Sequence, residues 1–181
     1  MSTILGSGHG VAEVAILSGL QASGKSTFYR QRLATTHVHV SKDNWPHARH
    51  REQRQRRVIA EALAAGRDVA VDNTNPSPHE RVPLIDLAHE AGATVVGYWF
   101  PPDPSVSLAR NAQREGRARV PNVGLFSTLK RLTRPSYDEG FDELYQVRAD
   151  DRGGFMVEFC PHHACVGEPE RPLRRASSRR G

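Results

Sequence analysis

The stretch Ile16-Leu17-Ser18-Gly19-Leu20-Gln21-Ala22-Ser23-Gly24-Lys25-Ser26-Thr27 constrains this chain more than any other. It fits the pattern GxxxxGK[S/T], with Gly19, Gly24, Lys25 and Ser26 in register. So short a pattern gains its meaning from its flanks. An apolar run at 14–17 precedes it and reads as a buried strand, and a helix-compatible run at 26–34 follows. Strand, glycine loop and helix start are what a phosphate-binding loop demands. Glycines let the backbone pass close to phosphate, successive N–H groups form an anion nest, and the helix N-terminus adds its positive end. In this reading Gly19, Leu20, Gln21, Ala22, Ser23, Gly24, Lys25, Ser26 and Thr27 wrap the phosphates of ATP. Lys25 reaches the β and γ phosphates, and the Ser26 hydroxyl helps hold Mg²⁺. The competing reading is a tight glycine turn before an ordinary helix, which leaves the flanking pattern unexplained.

Strands and helices alternate along the rest of the chain. A short strand at 38–40 runs into Asp43, at the carboxyl end of a strand, where open α/β sheets bind ligands. By position alone Asp43 serves equally well as a cap or turn residue. Residues 49–65 predict a helix whose first half is densely basic, from Arg49 to Arg57. A solvated face is the commoner role for such a charge run. The strand at 68–72 ends in Asp72, the usual carboxylate companion of a phosphate loop, where it helps hold Mg²⁺. A polar loop, 73–78, follows at the same edge. Residues 78–91 predict a helix, with Pro83 acceptable only near the first turn. A strand at 94–100 and a helix at 105–115 come next. Arg110, Arg114, Arg117 and Arg119 then recur within ten residues. Their spacing carries Arg110 and Arg114 up one helix face and the rest into a loop. Guanidinium groups bind phosphoryl oxygens bidentately and keep their charge, so an arginine-bearing lid is expected, against an exposed basic helix without a ligand. A helix at 122–132 and strands at 144–149 and 155–159 complete the pattern. The fold class is α/β: a parallel sheet of about five strands with helices on both faces, in the arrangement of a phosphate-loop kinase.

Length and composition bound this reading. The 181 residues suit one domain with a real core. The expected organisation is a flexible leader at 1–10, a kinase domain at 11–159 and a disordered basic tail at 160–181. No window approaches the ~18 apolar residues of a membrane span, and the first ten residues lack signal-peptide order, so the expected location is cytoplasmic. A net charge of +5 is compatible with a nucleic-acid partner, although arginines near the end carry part of it. Cys160, His162, His163 and Cys165 have the donor chemistry of a zinc site, but six residues crowd them and no second cluster completes a familiar spacing. Incidental chain-end residues are the reading that spacing favours.

Several motifs in series resemble the kinase domain of polynucleotide 5′-hydroxyl kinases. They are His39-Val40-Ser41-Lys42-Asp43, Val69-Ala70-Val71-Asp72-Asn73-Thr74-Asn75-Pro76, Arg110-Asn111 with Arg114, and Arg119-Val120-Pro121. Pro135-Ser136-Tyr137-Asp138-Glu139-Gly140-Phe141 is similar to the stretch after the lid helix in metazoan members. The resemblance runs over roughly residues 13–159. It implies that Asp43 is the general base for the acceptor 5′-hydroxyl, that Arg114 contacts ATP phosphates from the lid, and that Asp72 orders the metal and the acceptor site. Asn73 and Asn75 are its weaker acceptor-side candidates, and Arg117 and the basic stretch from Arg49 are expected to meet the acceptor backbone. Two departures stand out. Phage members carry a phosphate-gripping arginine three residues after the base, where this chain has Pro46; Arg49 or His47 is the substitute considered. The phosphate loop lacks the proline common in these kinases. No phosphatase or ligase domain accompanies the motifs, which implies separate partners or another acceptor. The expected acceptor is a nucleic-acid 5′-hydroxyl. Alternatives are a small-molecule hydroxyl (nucleoside, sugar or antibiotic) and an ATP-binding switch, against which the carboxylate at Asp43 argues.

Overall fold

Residues 10–116, 119–150 and 152–162 are described by a computed structural model of the chain. The expected leader up to residue 9, Arg117, and the tail from His163 onward, Cys165 included, lie outside the described residues.

The apolar run after Glu13 is buried on both faces, as a central parallel strand must be. This is β1, Glu13–Ser18, with Val14 to Ser18 fully buried. It pairs in parallel with β3, Asp68–Asp72, on one side and with β4, Thr94–Trp99, on the other. Outside β3 lies β2, His37–Val40; outside β4 lie β5, Glu143–Ala149, and β6, Phe155–Phe159. The order is β2-β3-β1-β4-β5-β6, with the first five strands parallel and β6 antiparallel at the edge. The fifth parallel strand was expected; the sixth is the antiparallel ribbon that the turn at Gly153-Gly154 permits.

Alternate residues of β1 feed opposite layers. Val14 and Ile16 pack with Ile59, Val71, Leu84 and Ile85, beneath α2, Arg51–Ala64, and α3, Pro78–Glu90. Ala15 and Leu17 face Phe28, Phe100 and Phe155. Phe28 meets Tyr98, Phe100 and Phe155 at ring separations of 5.1, 5.6 and 5.4 Å.

Three helices depart most from expectation. The run after the phosphate loop is a single α turn, α1, Lys25–Phe28, continuing as a π-helix over Tyr29–Leu33. Pro83 lies inside α3 and not near its first turn. It is tolerated because exposed His79 and half-buried Pro83 sit off the buried stripe of Arg81, Leu84, Ile85 and Ala88, so the carbonyl that loses its helical donor lies on the solvent side. The helix expected to reach 115 stops at Ala112 (α4, Pro104–Ala112), so Arg114 is not on a helix face with Arg110. Asn111 ends it by turning its side chain onto the returning chain at Val120, described below. The last helix, α5, is Asn122–Arg131. The packed unit also runs on past Phe159. Cys160 is buried, its N–H donates to Leu144 O at 2.8 Å, and the His162 ring stacks on Tyr137 at 3.6 Å.

Candidate active site

Register brings the carboxyl ends of β1, β2 and β3 level, with Leu17 opposite Asp72 and Val40 opposite Val71. The loops leaving these strands therefore share one edge. The Gly19 N–H donates to Thr74 O at 3.0 Å and ties two of them together. Gly19 is demanded by packing, since a Cβ there would lie 2.8 Å from Phe100 Cβ. Gly24 is demanded by its φ of 104°, the left-handed turn into α1. Ala22 holds φ 60° without being a glycine. Leu20 is fully buried and does not line the cleft; its carbonyl accepts from the Lys25 ammonium.

Inside the loop the Lys25 ammonium donates to Gly19 O at 3.0 Å, Leu20 O at 2.5 Å and Ser23 Oγ at 3.3 Å. Burial lowers its pKa to about 8 against the raising influence of Asp72 and Asp43, with Arg114 pushing the same way as burial. Asp72 is buried too. Burial pushes its carboxyl up, but hydrogen bonds from His39 and Ser26 and the charge of Lys25 more than offset this, and the net shift is downward. His39 Nε2 lies 3.1 Å from Asp72 Oδ2, and its ring stacks on Tyr29 at 4.3 Å. Sequence reading quoted His39 only as part of a motif; nothing local signals a bond to a residue 33 positions away.

Asp43 sits on a 3₁₀ turn, Lys42–Asn44, just beyond β2. The Ser41 side chain caps the turn by accepting from Asp43 N at 3.3 Å. Asn73 Oδ1 accepts from Lys42 N at 2.9 Å, and Asn73 Nδ2 donates to Gln55 Oε1 of α2 at 2.9 Å. The Lys42 ammonium pairs with Glu52 on the same helix.

Asn75 plays a different part from the one expected. It is buried, and its Nδ2 donates to Leu17 O at 2.7 Å, closing the end of β1. It does not line the cleft. Its carbonyl accepts from Ser18 Oγ at 2.9 Å and from Arg81 Nη1 at 3.0 Å. Arg81 is fully buried, grips Glu139 with two bonds of 2.7 Å and also donates to Thr133 O. The similarity at residues 135–141 thus has a physical basis: that stretch carries the partner of a buried guanidinium reaching the phosphate-loop edge.

The arginine-bearing segment is closed at its root. Asn111, almost fully buried, donates from Nδ2 to Val120 O at 2.6 Å and accepts at Oδ1 from Val120 N at 3.0 Å. This side chain copies a strand bridge and returns the chain beside α4. The phosphate loop touches the next helix through Gln21 Nε2, which donates to Thr128 Oγ1 of α5 at 2.8 Å.

These parts open on one cleft of about 680 Å³. Gln21, Ala22, Gly24, Lys25, Ser26 and Thr27 line it from the loop, and Asp43, Asp72, Asn73, Thr74 and Arg114 face it. Arg49 does not line it, whereas Arg51 does, because α2 starts two residues later than expected. Arg51 donates to Pro46 O, and Pro46 also lines the cleft. Arg30 lines it as well, from the π-helix. Four cationic side chains, Lys25, Arg30, Arg51 and Arg114, thus face two carboxylates, Asp43 and Asp72, a balance suited to a highly anionic ligand. Among the described residues no trio of His, Cys, Asp or Glu is grouped to hold a metal by itself. No helix among them is long and apolar enough to cross a membrane.

Residues 14–135 match the family described as AAA domain (AAA_33). The chain belongs to that family. Within it, the chain has a P-loop kinase domain. It is 25% identical over 139 residues to the bifunctional polynucleotide phosphatase/kinase of Schizosaccharomyces pombe, covering 75% of this chain and 33% of that protein. The chain spans about a third of the length of the curated relatives it matches. Among solved structures, a fungal RNA kinase superposes with a TM-score of 0.58 at 14% identity, over 80% of this chain and 78% of that one. A sugar kinase from Janibacter sp. superposes with a TM-score of 0.55 at 18% identity, over 76% and 86%. At such identities these two likenesses establish the fold of this AAA-domain chain and leave its acceptor open.

Proposed function

We propose that the chain transfers the γ-phosphoryl group of ATP to the 5′-hydroxyl of a nucleic acid. The observation that carries this reading is the shared cleft: the carboxylate of Asp43 faces the same space as Lys25 of the phosphate loop. A hydroxyl is a poor nucleophile at neutral pH, and a carboxylate within hydrogen-bond reach takes its proton as it attacks. Lys25, Arg114 and the loop N–H groups hold phosphoryl oxygens and stabilise the charge that shifts during transfer. The hydroxyl of Ser26 beside the carboxylate of Asp72 is a pair of hard oxygen donors that fits Mg²⁺, which is bound by few protein ligands together with phosphates. Mg²⁺ bound there would neutralise phosphate charge. Support for a polymeric acceptor comes from the name of the fission-yeast relative and from the exposed arginines of α2, Arg51, Arg54, Arg56 and Arg57, the first of which lines the cleft. Such contacts make affinity fall steeply with salt.

The test is transfer of label from [γ-³²P]ATP with Mg²⁺ to DNA and RNA oligonucleotides bearing 5′-hydroxyls, beside a panel of nucleosides and sugars. Label at the 5′ end, lost in Asp43→Asn and Lys25→Ala, is the expected result. Label on small alcohols alone, with every oligonucleotide unlabelled, overturns the polymeric acceptor.

A further inference from the structure

The first half of α2 is charged and exposed except at one position. Arg51, Glu52, Gln53, Arg54, Arg56 and Arg57 face solvent, whereas Gln55 is 1% exposed. An amide is costly to bury unless its hydrogen bonds are made. At this position an apolar residue would continue the stripe of Ile59, Ala62 and Leu63. The structure gives the amide a specific task.

Its polarity is fixed from the far end. The N–H of Lys42 can only donate, so Asn73 must present Oδ1 to it. Asn73 then has only its NH₂ to offer Gln55, and Gln55 must present Oε1. The series Gln55–Asn73–Lys42 N thus has one internally consistent orientation. It ends on the Ser41–Lys42 peptide, at the first residue of the turn that carries Asp43, and Asn73 itself lines the cleft with Asp43. Through these two bonds Asn73 ties α2 to the turn that carries Asp43.

We propose that Gln55 is a positioning residue for Asp43, acting through Asn73 to hold the turn Lys42–Asn44 at the cleft. This inference rests on the reading of Asp43 as the base. A carboxylate on an exposed turn loses much of its value if the turn drifts, since a misplacement of about 1 Å costs up to roughly a hundredfold in rate.

The experiment is a double-mutant cycle on the full chain, following labelled phosphate transfer to a 5′-hydroxyl oligonucleotide. Gln55→Met keeps the length of the side chain and removes the acceptor. It is expected to lower kcat about tenfold, with KM for ATP and the affinity for a fluorescent ATP analogue unchanged. In an Asp43→Ala background the same substitution is expected to cost nothing further. Gln55→Glu, which still accepts from Asn73, is expected to recover most of the rate. If the Gln55→Met melt shows poor folding, Gln55→Leu removes the same acceptor at a position outside the cleft and is read in the same way. An equal fold-loss with and without Asp43 overturns the inference, as does an unchanged rate in Gln55→Met alongside an inactive Asp43→Ala. Full activity in Asp43→Ala is a different failure: it removes the base and, with it, the functional reading beneath this inference.

Discussion

The two sides of the cleft are made differently. The phosphate-loop side is backbone: the N–H groups and carbonyls of a tight loop, with Lys25 folded among them and Phe100 packed behind Gly19. The Asp43 side is an exposed 3₁₀ turn steadied by side-chain amides from the loop after β3 and from α2. A backbone cradle is specified by its own dozen residues. A turn held by Asn73 and Gln55 is specified by residues 31 and 18 positions from their partners. Behind the phosphate-loop side sits Arg81, whose guanidinium reaches Ser18 at the end of β1, Asn75 in the loop after β3 and Glu139 in the segment after α5.

The largest effect should separate the two sides cleanly. Asp43→Asn is expected to cut transfer by about 10³-fold while nucleotide affinity stays at the native value. Lys25→Met should weaken both, and titration with a fluorescent nucleotide alongside the transfer assay measures each. Loosened nucleotide binding in Asp43→Asn would break the distinction. Next in size is Arg81→Met, which leaves Glu139 buried without its partner and should cost about 3–5 kcal/mol in urea unfolding. Because Arg81 holds Ser18 and Asn75 at the edge of the phosphate loop, its loss should lower nucleotide affinity and, with it, transfer.

A pH dependence sharpens the picture of the loop. Lys25 titrates near 8 in the folded chain and near 10.5 when unfolded. Between these values the unfolded state binds more protons, so this residue's contribution to stability grows as pH rises from about 8 and is lost as pH falls through 8. Thermal melts of the native chain and Lys25→Met between pH 7.5 and 10 should therefore show the native chain gaining on the variant with rising pH. The smallest effect is at Ala22, held at φ 60°. Ala22→Gly is expected to raise stability by about 0.5–1 kcal/mol, since a left-handed alanine carries a steric cost that glycine avoids. Nothing on the Asp43 side should change.

This contrast also explains what could be read from the chain beforehand. The strand and phosphate loop at 14–27 were legible because their chemistry is local and their glycines have fixed tasks, whereas the helix read over 26–34 is one α turn followed by a π-helix. Asp72 and the β3 limits were legible for a like reason, an apolar strand ending in a carboxylate. The roles of the two asparagines were not. Asn73 and Asn75 are two residues apart in one polar loop, yet one serves the turn of Asp43 and the other closes β1. What separates them is the path of the loop, in which Asn75 takes a left-handed backbone with φ 40° and turns its amide onto Leu17 O. Arg114 was expected on a helix face and lies beyond the helix, because the buried amide of Asn111 prefers the returning backbone at Val120. The exchange of Arg49 for Arg51 follows from a helix start set by the turns at 42–48, where no strong cap residue marks the boundary.

The clasp between Asn111 and Val120 has a consequence for how such a chain diversifies. The clasp joins the two ends of the intervening segment directly, so chain length between them weighs little on the fold. Doubling that length costs only about 0.6 kcal/mol in closure entropy. Insertions and exchanges between the two residues therefore fall where the rest of the molecule scarcely feels them, while Arg114 faces the cleft from that same segment. A lineage can rewrite its grip on a ligand there and inherit the sheet, the loop and the carboxylates intact.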